Sequence, residues 1–182
     1  MFNFIKTKID QLYIIEPQVF GDDRGYFFES YRKTDFDLTG LKYNFVQDNQ
    51  SKSKKGVLRG LHYQKRFPQA KLVRVLDGEV FDVAVDLRKN SPTYGMWVGT
   101  ILSGENKRMM MIPKGFAHGF LVLSDTAVFS YKCDEVYHPE DEEGIIWNDP
   151  TIGIEWPYLE PILSEKDKHN KTLNELKTEF YL

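Results

Sequence analysis

The feature that most constrains this chain is a succession of short apolar runs, closed by Gly, Pro, Asn or Asp, with no long helical periodicity between them. Lys71–Leu76, Glu79–Asp86, Met96–Leu102, Arg108–Ile112, Gly119–Leu123 and Ala127–Cys133 follow one another in this way. Runs this short suit strands, and strands at this spacing without alternating helices predict an all-β sandwich or barrel, not a βαβ fold. Glu79–Asp86 carries apolar residues on both faces, interrupted by Asp82 and Asp86, as expected of a strand inside a barrel or sandwich. Asp77-Gly78, between two such runs, is a hairpin signal. Upstream, Phe20-Gly-Asp-Asp-Arg-Gly25 reads as a turn and Tyr26–Arg32 as a strand. Helix is expected in two short places. One is Thr34–Leu41 with Thr34 as cap; the other is Ser164–Lys177, with Ser164 as N-cap and Asp167 three residues on.

With 182 residues and no repeat or linker tract, the chain is read as one domain over residues 1–182. Its 14% aromatic content fits a strand-rich fold. Charge is uneven. Of the 24 lysines and arginines, eight fall between Lys52 and Arg74, where there is no acidic residue, leaving 16 against all 27 acidic residues elsewhere. A basic island in an acidic chain suits a compact anion such as a diphosphate better than a nucleic-acid track, although a solvated charged face has the same composition. Cys133 is the only cysteine, so neither an intrachain disulfide nor a cysteine-cluster metal site is possible. Met1–Asp10 lacks the apolar stretch of a signal peptide, and no segment approaches a membrane span. The expectation is a cytoplasmic soluble protein.

Two segments carry the chemistry. Gly56-Val-Leu-Arg-Gly-Leu-His-Tyr-Gln64 and Pro113-Lys-Gly-Phe-Ala-His118 resemble the two cupin motifs. In cupins, histidines and a glutamate from those motifs converge on a metal from facing strands. Here His62 is kept, Gln64 stands for the second histidine, and Lys71 lies near where an anionic ligand would be wanted. An ammonium has no lone pair to offer a metal. The resemblance therefore implies a cupin-type double-stranded β-helix, or jelly-roll barrel, that keeps the pocket and carries neither metal nor cofactor. A metal-dependent cupin enzyme and a non-catalytic sugar-nucleotide-binding jelly roll are the competing classes.

The family whose pattern fits this departure is the dTDP-4-dehydrorhamnose 3,5-epimerases, which the chain resembles from about Phe4 onward. The matching blocks are Phe20–Ser30, Val46–Ser51, Gly56–Gln64, Lys71–Arg74, Gly78–Arg88, Ile112–Phe120, Ile146–Asp149 and Ile154–Pro157. One departure is Ala70, where glycine is usual before the lysine. The resemblance implies a nucleoside-diphosphate 4-keto-6-deoxy sugar as substrate, its ketone acidifying the hydrogens on carbons 3 and 5. It makes His62 the base, since imidazole changes charge near neutral pH. Asp167 becomes the carboxylate that orients the base, Lys71 a cation at the developing oxyanion, and Tyr131 the acid on the opposite face. It also implies substrate contacts at Arg24, Phe27, Glu29, Gln47, Asp48, Asn49, Arg59, His118, Glu143 and Lys166, with Tyr137 stacked on the nucleobase. A relative that inverts only one of the two carbons is the nearest alternative, and Tyr131 favours the full reaction. The resemblance further implies a homodimer in which the N-terminal strand region, about residues 1–45, is exchanged, so that Arg24–Glu29 serves the partner's site. Taken singly, these residues keep other readings: His62 structural, Asp167 a helix-capping acid, Tyr131 and His118 buried hydrogen-bonding residues, and Tyr137 part of an acidic surface loop.

Overall fold

The computed structural model describes residues 1–177 and 180. In chain order its strands begin with β1 (Phe2–Lys6), β2 (Tyr13–Pro17), β3 (Phe20–Asp22) and β4 (Gly25–Phe27), before helix α1 (Lys33–Leu38). Next come β5 (Gln47–Lys54), β6 (Leu58–Gln64), β7 (Lys71–Asp77), β8 (Glu79–Asp86), β9 (Trp97–Ser103) and β10 (Met109–Ile112). The remainder are β11 (Phe116–Val122), β12 (Thr126–Cys133), β13 (Glu142–Gly144) and the one-turn helix α2 (Glu165–Lys168). A six-stranded sheet runs β1-β2-β10-β7-β12-β5, a five-stranded sheet runs β13-β6-β11-β8-β9, and β3-β4 forms a separate hairpin. Every pairing is antiparallel. This is the cupin-type jelly roll that the sequence implies.

Both sheets are covered on both faces, which is why so many strands read as continuous apolar runs instead of a clean alternation. Between the sheets, Val73, Val75, Met110, Ile112 and Phe129 meet Val80, Ala84 and Phe120. Behind the five-stranded sheet, Leu58, Leu61, Val83, Val85 and Leu121 pack under Ile152, Trp156 and Leu173 of the C-terminal segment. Over the back of the six-stranded sheet, Ile15, Leu72, Met109 and Met111 are capped by Phe2, Leu41 and Phe36 of α1. Each such fully buried side chain contributes roughly 1.5–3 kcal/mol relative to leaving it exposed.

Several local expectations change. Asp77-Gly78 does not close a hairpin, because β7 and β8 belong to different sheets. Gly78 lies at φ +80, and a Cβ there would stand 2.1 Å from the carbonyl oxygen of Thr126. The dipeptide turns the chain from one sheet to the other, which demands the same left-handed backbone as a hairpin and so shares its signature. Phe20–Gly25 is more than a turn: it supplies β3 and the start of a short hairpin, and pairing ends at Phe27 instead of Arg32. In α1 the N-cap is Arg32, which makes no side-chain capping hydrogen bond, and Thr34 lies inside the helix. The C-terminal helix is only one turn long, although Ser164 does cap it by accepting from the Asp167 N–H. After it come a reversal and a short 3-10 turn, Leu173–Glu175.

Candidate active site

Between the two sheets lies a cavity of about 620 Å³, of a size that holds a drug-sized ligand. A bulge in β6 decides which residues face it. Opposite β11, His62 pairs with His118 while Arg59 pairs with Phe120, so three steps on β6 match two on β11. An extra residue of this kind re-aims side chains, and it lets Arg59 and His62 line the same cavity although they are an odd number of positions apart. Gly60, at φ +123, makes the bulge possible. A Cβ on it would stand 2.5 Å from the Cα of Gly119.

His62 places its Nε2 2.5 Å from Oδ1 of Asp167. Burial alone would push the Asp167 carboxyl up, but the contact with His62, the Ser164 hydroxyl and the Gly60 N–H together hold it below the usual carboxylate value. An ionised carboxylate only accepts, so Nε2 carries the hydrogen of this contact and Nδ1 is the ring nitrogen left over. That Nδ1 lies 3.8 Å from Oε1 of Glu142. Asp167 is therefore not the capping acid of the alternative reading. Its backbone N–H takes the cap from Ser164 while its side chain serves His62.

Tyr131 and Lys71 come from β12 and β7 of the six-stranded sheet and line the opposite wall. Burial pushes the Tyr131 phenol up, with further push from Cys133 and Glu142 against Arg59, so it is protonated at neutral pH. Burial lowers the Lys71 ammonium, opposed by Cys133, Glu142 and Asp82. The Cys133 thiol beside it is pushed up to about 11, chiefly by burial. His118 is buried on β11, with Nε2 2.9 Å from Oδ2 of the fully buried Asp82.

The other sequence-predicted residues divide cleanly. Gln47 and Asn49 line the cavity from one face of β5, and Gln47 Oε1 accepts from the Tyr137 N–H at 2.8 Å. Asp48 points to the other face, as the two-residue period of a strand requires, and is ion-paired with Lys132 at 2.9 Å. Arg59 lines the wall and donates from Nε to the Ser53 hydroxyl. Tyr137 and Lys166 also line the cavity, and both bond to Glu142. The Tyr137 phenol is pushed up to about 12, first by burial and then by that carboxylate. Glu143 lies outside the cavity lining and accepts from Lys65 and the Tyr63 hydroxyl. Its neighbour Glu142 is the residue turned inward, held below the usual value, against burial, by Lys166, Tyr137 and His62. Nothing in the acidic run Glu140–Glu143 marks which of its members faces in. Arg24, Phe27 and Glu29 are not brought to this cavity. Arg24 is ion-paired with Asp22, Glu29 with Arg32, and Phe27 is 67% exposed.

Gln64, in place of the second cupin histidine, spends its amide on structure: Nε2 donates to the carbonyls of Phe67 and Val136, and Oε1 accepts from the His138 N–H. Among the described residues no three His, Cys, Asp or Glu side chains are grouped to hold a metal ion, and no helix is long and apolar enough to cross a membrane. Sequence reasoning missed Phe120 and Phe129, two residues from His118 and Tyr131 on their strands. Strand alternation is the signal that finds them.

The model of one protein family, dTDP-4-dehydrorhamnose 3,5-epimerase, matches residues 6–175. The chain is 58% identical over 177 residues to the enzyme of that name from Methanothermobacter thermautotrophicus, covering 96% of both. It is 59% identical over 167 residues to the one from Shigella flexneri, covering 91% of this chain and 92% of the other. Among solved structures, the dTDP-6-deoxy-D-glucose-3,5-epimerase of Legionella pneumophila in complex with dTDP-4-keto-L-rhamnose superposes with a TM-score of 0.97. That protein is 56% identical, and the match covers all of both chains.

Proposed function

The chain belongs to the dTDP-4-dehydrorhamnose 3,5-epimerase family, and from that premise we propose how its own residues divide the work. It is an isomerase that inverts carbons 3 and 5 of dTDP-4-dehydro-6-deoxy-D-glucose to give dTDP-4-dehydro-L-rhamnose, in dTDP-rhamnose biosynthesis.

In this reading the Nδ1 of His62 takes the proton from a carbon next to the ketone. The C–H electrons move into the C4 carbonyl, and the resulting enolate oxygen is held by the Lys71 ammonium, a contribution worth a few kcal/mol. Tyr131 then donates its phenolic proton to the opposite face of the same carbon, and the electrons return to restore the ketone. His62 ends protonated and Tyr131 ionised, so exchange with solvent resets both before the second centre reacts. General acid–base groups placed in this way contribute roughly 10²–10⁴-fold each. The observation that carries the assignment is the 2.5 Å His62–Asp167 contact on one wall with Tyr131 and Lys71 on the other. Arg59 takes the diphosphate, for which a guanidinium fork is well matched. Tyr137 stacks on the nucleobase, and Gln47, Asn49, His118, Lys166 and Glu142 supply the remaining polar contacts.

Incubation with dTDP-4-keto-6-deoxyglucose in deuterium oxide, followed by NMR, tests this. Deuterium at both carbons is expected; none at either rejects the reading. His62→Asn should abolish exchange while dTDP still binds.

We also propose a homodimer acting in the cytoplasm. The exposed Phe20, Tyr26 and Phe27 on the β3–β4 hairpin are apolar surface in search of a cover, and Arg24 and Glu29 beside them would then reach the partner's cavity. Mixing inactive His62→Asn with inactive Arg24→Ala subunits should restore activity in heterodimers; no recovery would refute the exchange.

A further inference from the structure

We propose that Phe120 and Phe129 form the surface that receives the C6 methyl group and make the enzyme selective for 6-deoxy sugars; this rests on the reading of the catalytic groups above. The two rings stack across the gap between the sheets, one from β11 and one from β12, with centroids 4.1 Å apart and planes at 15°. Both line the cavity, yet they are only 5% and 1% exposed, so they form its inner end and not its rim. Each is two residues from a polar group of the site on the same strand face. Phe120 follows His118, and Phe129 precedes Tyr131, their rings 6.0 Å apart.

The substrate's chemistry says what such a surface meets. The sugar is tethered at carbon 1 to the diphosphate, whose counter-charge Arg59 lies on the wall. Carbons 3, 4 and 5, where His62, Lys71 and Tyr131 must act, are at the end away from that tether. Carbon 6 hangs from carbon 5 and is the only carbon of the ring system that carries no oxygen. The deep end of the cavity offers it an apolar face. Such a face also lets the methyl swing to the other side as carbon 5 inverts, because no directional bond is lost. A hydroxyl on carbon 6 would instead be stripped of water against two rings that neither accept nor donate. Apolar pockets reject an added hydroxyl by about 100-fold.

The test compares kcat/KM for dTDP-4-keto-6-deoxyglucose and for the same sugar nucleotide bearing a hydroxyl on carbon 6, in the wild-type enzyme and in Phe120→Tyr and Phe129→Tyr. We expect the wild type to favour the 6-deoxy sugar by roughly 100-fold and at least one tyrosine variant to cut that ratio about tenfold. Equal turnover of the two sugars by the wild type would overturn the assignment even if neither variant folds, and so would an unchanged ratio in folded variants. Wild type inert toward both sugars would refute the catalytic reading itself.

Discussion

Replacing Asp167 by Asn removes a charge and almost nothing else. The amide oxygen can still accept from Nε2 of His62, so the tautomer that leaves Nδ1 free is retained. What disappears is the attraction between the carboxylate and the imidazolium that forms when His62 takes the substrate's proton. The contact is 2.5 Å between heavy atoms, which places the two charge centres about 4 Å apart. At an effective dielectric of about 20 that attraction is worth roughly 4 kcal/mol. The Asp167 side chain is only 4% exposed but that of His62 is 27% exposed. Solvent relaxation in the variant should therefore recover part of the loss. At about 1.36 kcal/mol per tenfold, full loss gives about 10³-fold in rate and half loss about 30-fold. The expected fall in kcat lies between these. It is read as deuterium incorporation at carbons 3 and 5 under saturating substrate, with dTDP affinity by calorimetry as the control. Retention of kcat within about threefold would refute the argument that this charge supports the base. A fall matched by equal loss of dTDP affinity would show that Asp167 shapes the cavity instead.

Gly78→Ala should cost about 3 kcal/mol or more, since it adds both a left-handed strain and a clash with the Thr126 carbonyl; a urea midpoint within error of wild type would refute the sheet-crossing role. Arg88→Met strands the fully buried Asp86, which Arg88 contacts at 2.9 Å, and should cost about 3–5 kcal/mol in denaturant unfolding, whereas an unaffected midpoint would mean Ser91 and Thr93 suffice. Burial pushes Asp86 and Asp167 up, but the donors around them leave both below the unfolded carboxylate value. A lowered folded pKa gives stability that is present above the unfolded pKa of about 3.9 and lost as pH falls through the folded one. The urea midpoint should therefore be flat between about pH 7 and pH 5 and fall below about pH 4; a midpoint that rises on acidification would reverse the sign. Ser164→Ala removes the cap that sets Asp167 and should cost about 1 kcal/mol with a several-fold loss of kcat, and an unchanged kcat would show that α2 holds its place without it.

The chain's own pattern determined a good deal about this protein. Short runs closed by turn residues exclude long helices, so Leu72, Val83, Met110 and Leu121 could only be strand residues of a β architecture. His62 and Lys71 stand in blocks that carry the family resemblance, and the structure brings both to one cavity together with Tyr131, which stands in no such block. Ser164 was legible as a cap because its hydrogen bond is local in sequence. What escaped local reading depends on contacts between distant segments. Asp77-Gly78 specifies a left-handed step, which serves a hairpin and a sheet crossing equally, and only the partners β7 and β8 find decide between them. Arg59 and His62 share a wall because Gly60 bulges against Gly119, an event that strand alternation forbids and only the pairing with β11 permits. Glu142 instead of Glu143 faces inward because β13 pairs with β6 in one register, and a shift of one residue would exchange them. Local sequence thus chose the elements and the reactive groups. Which side chains share a cavity was decided by register, and register is a property of two strands together.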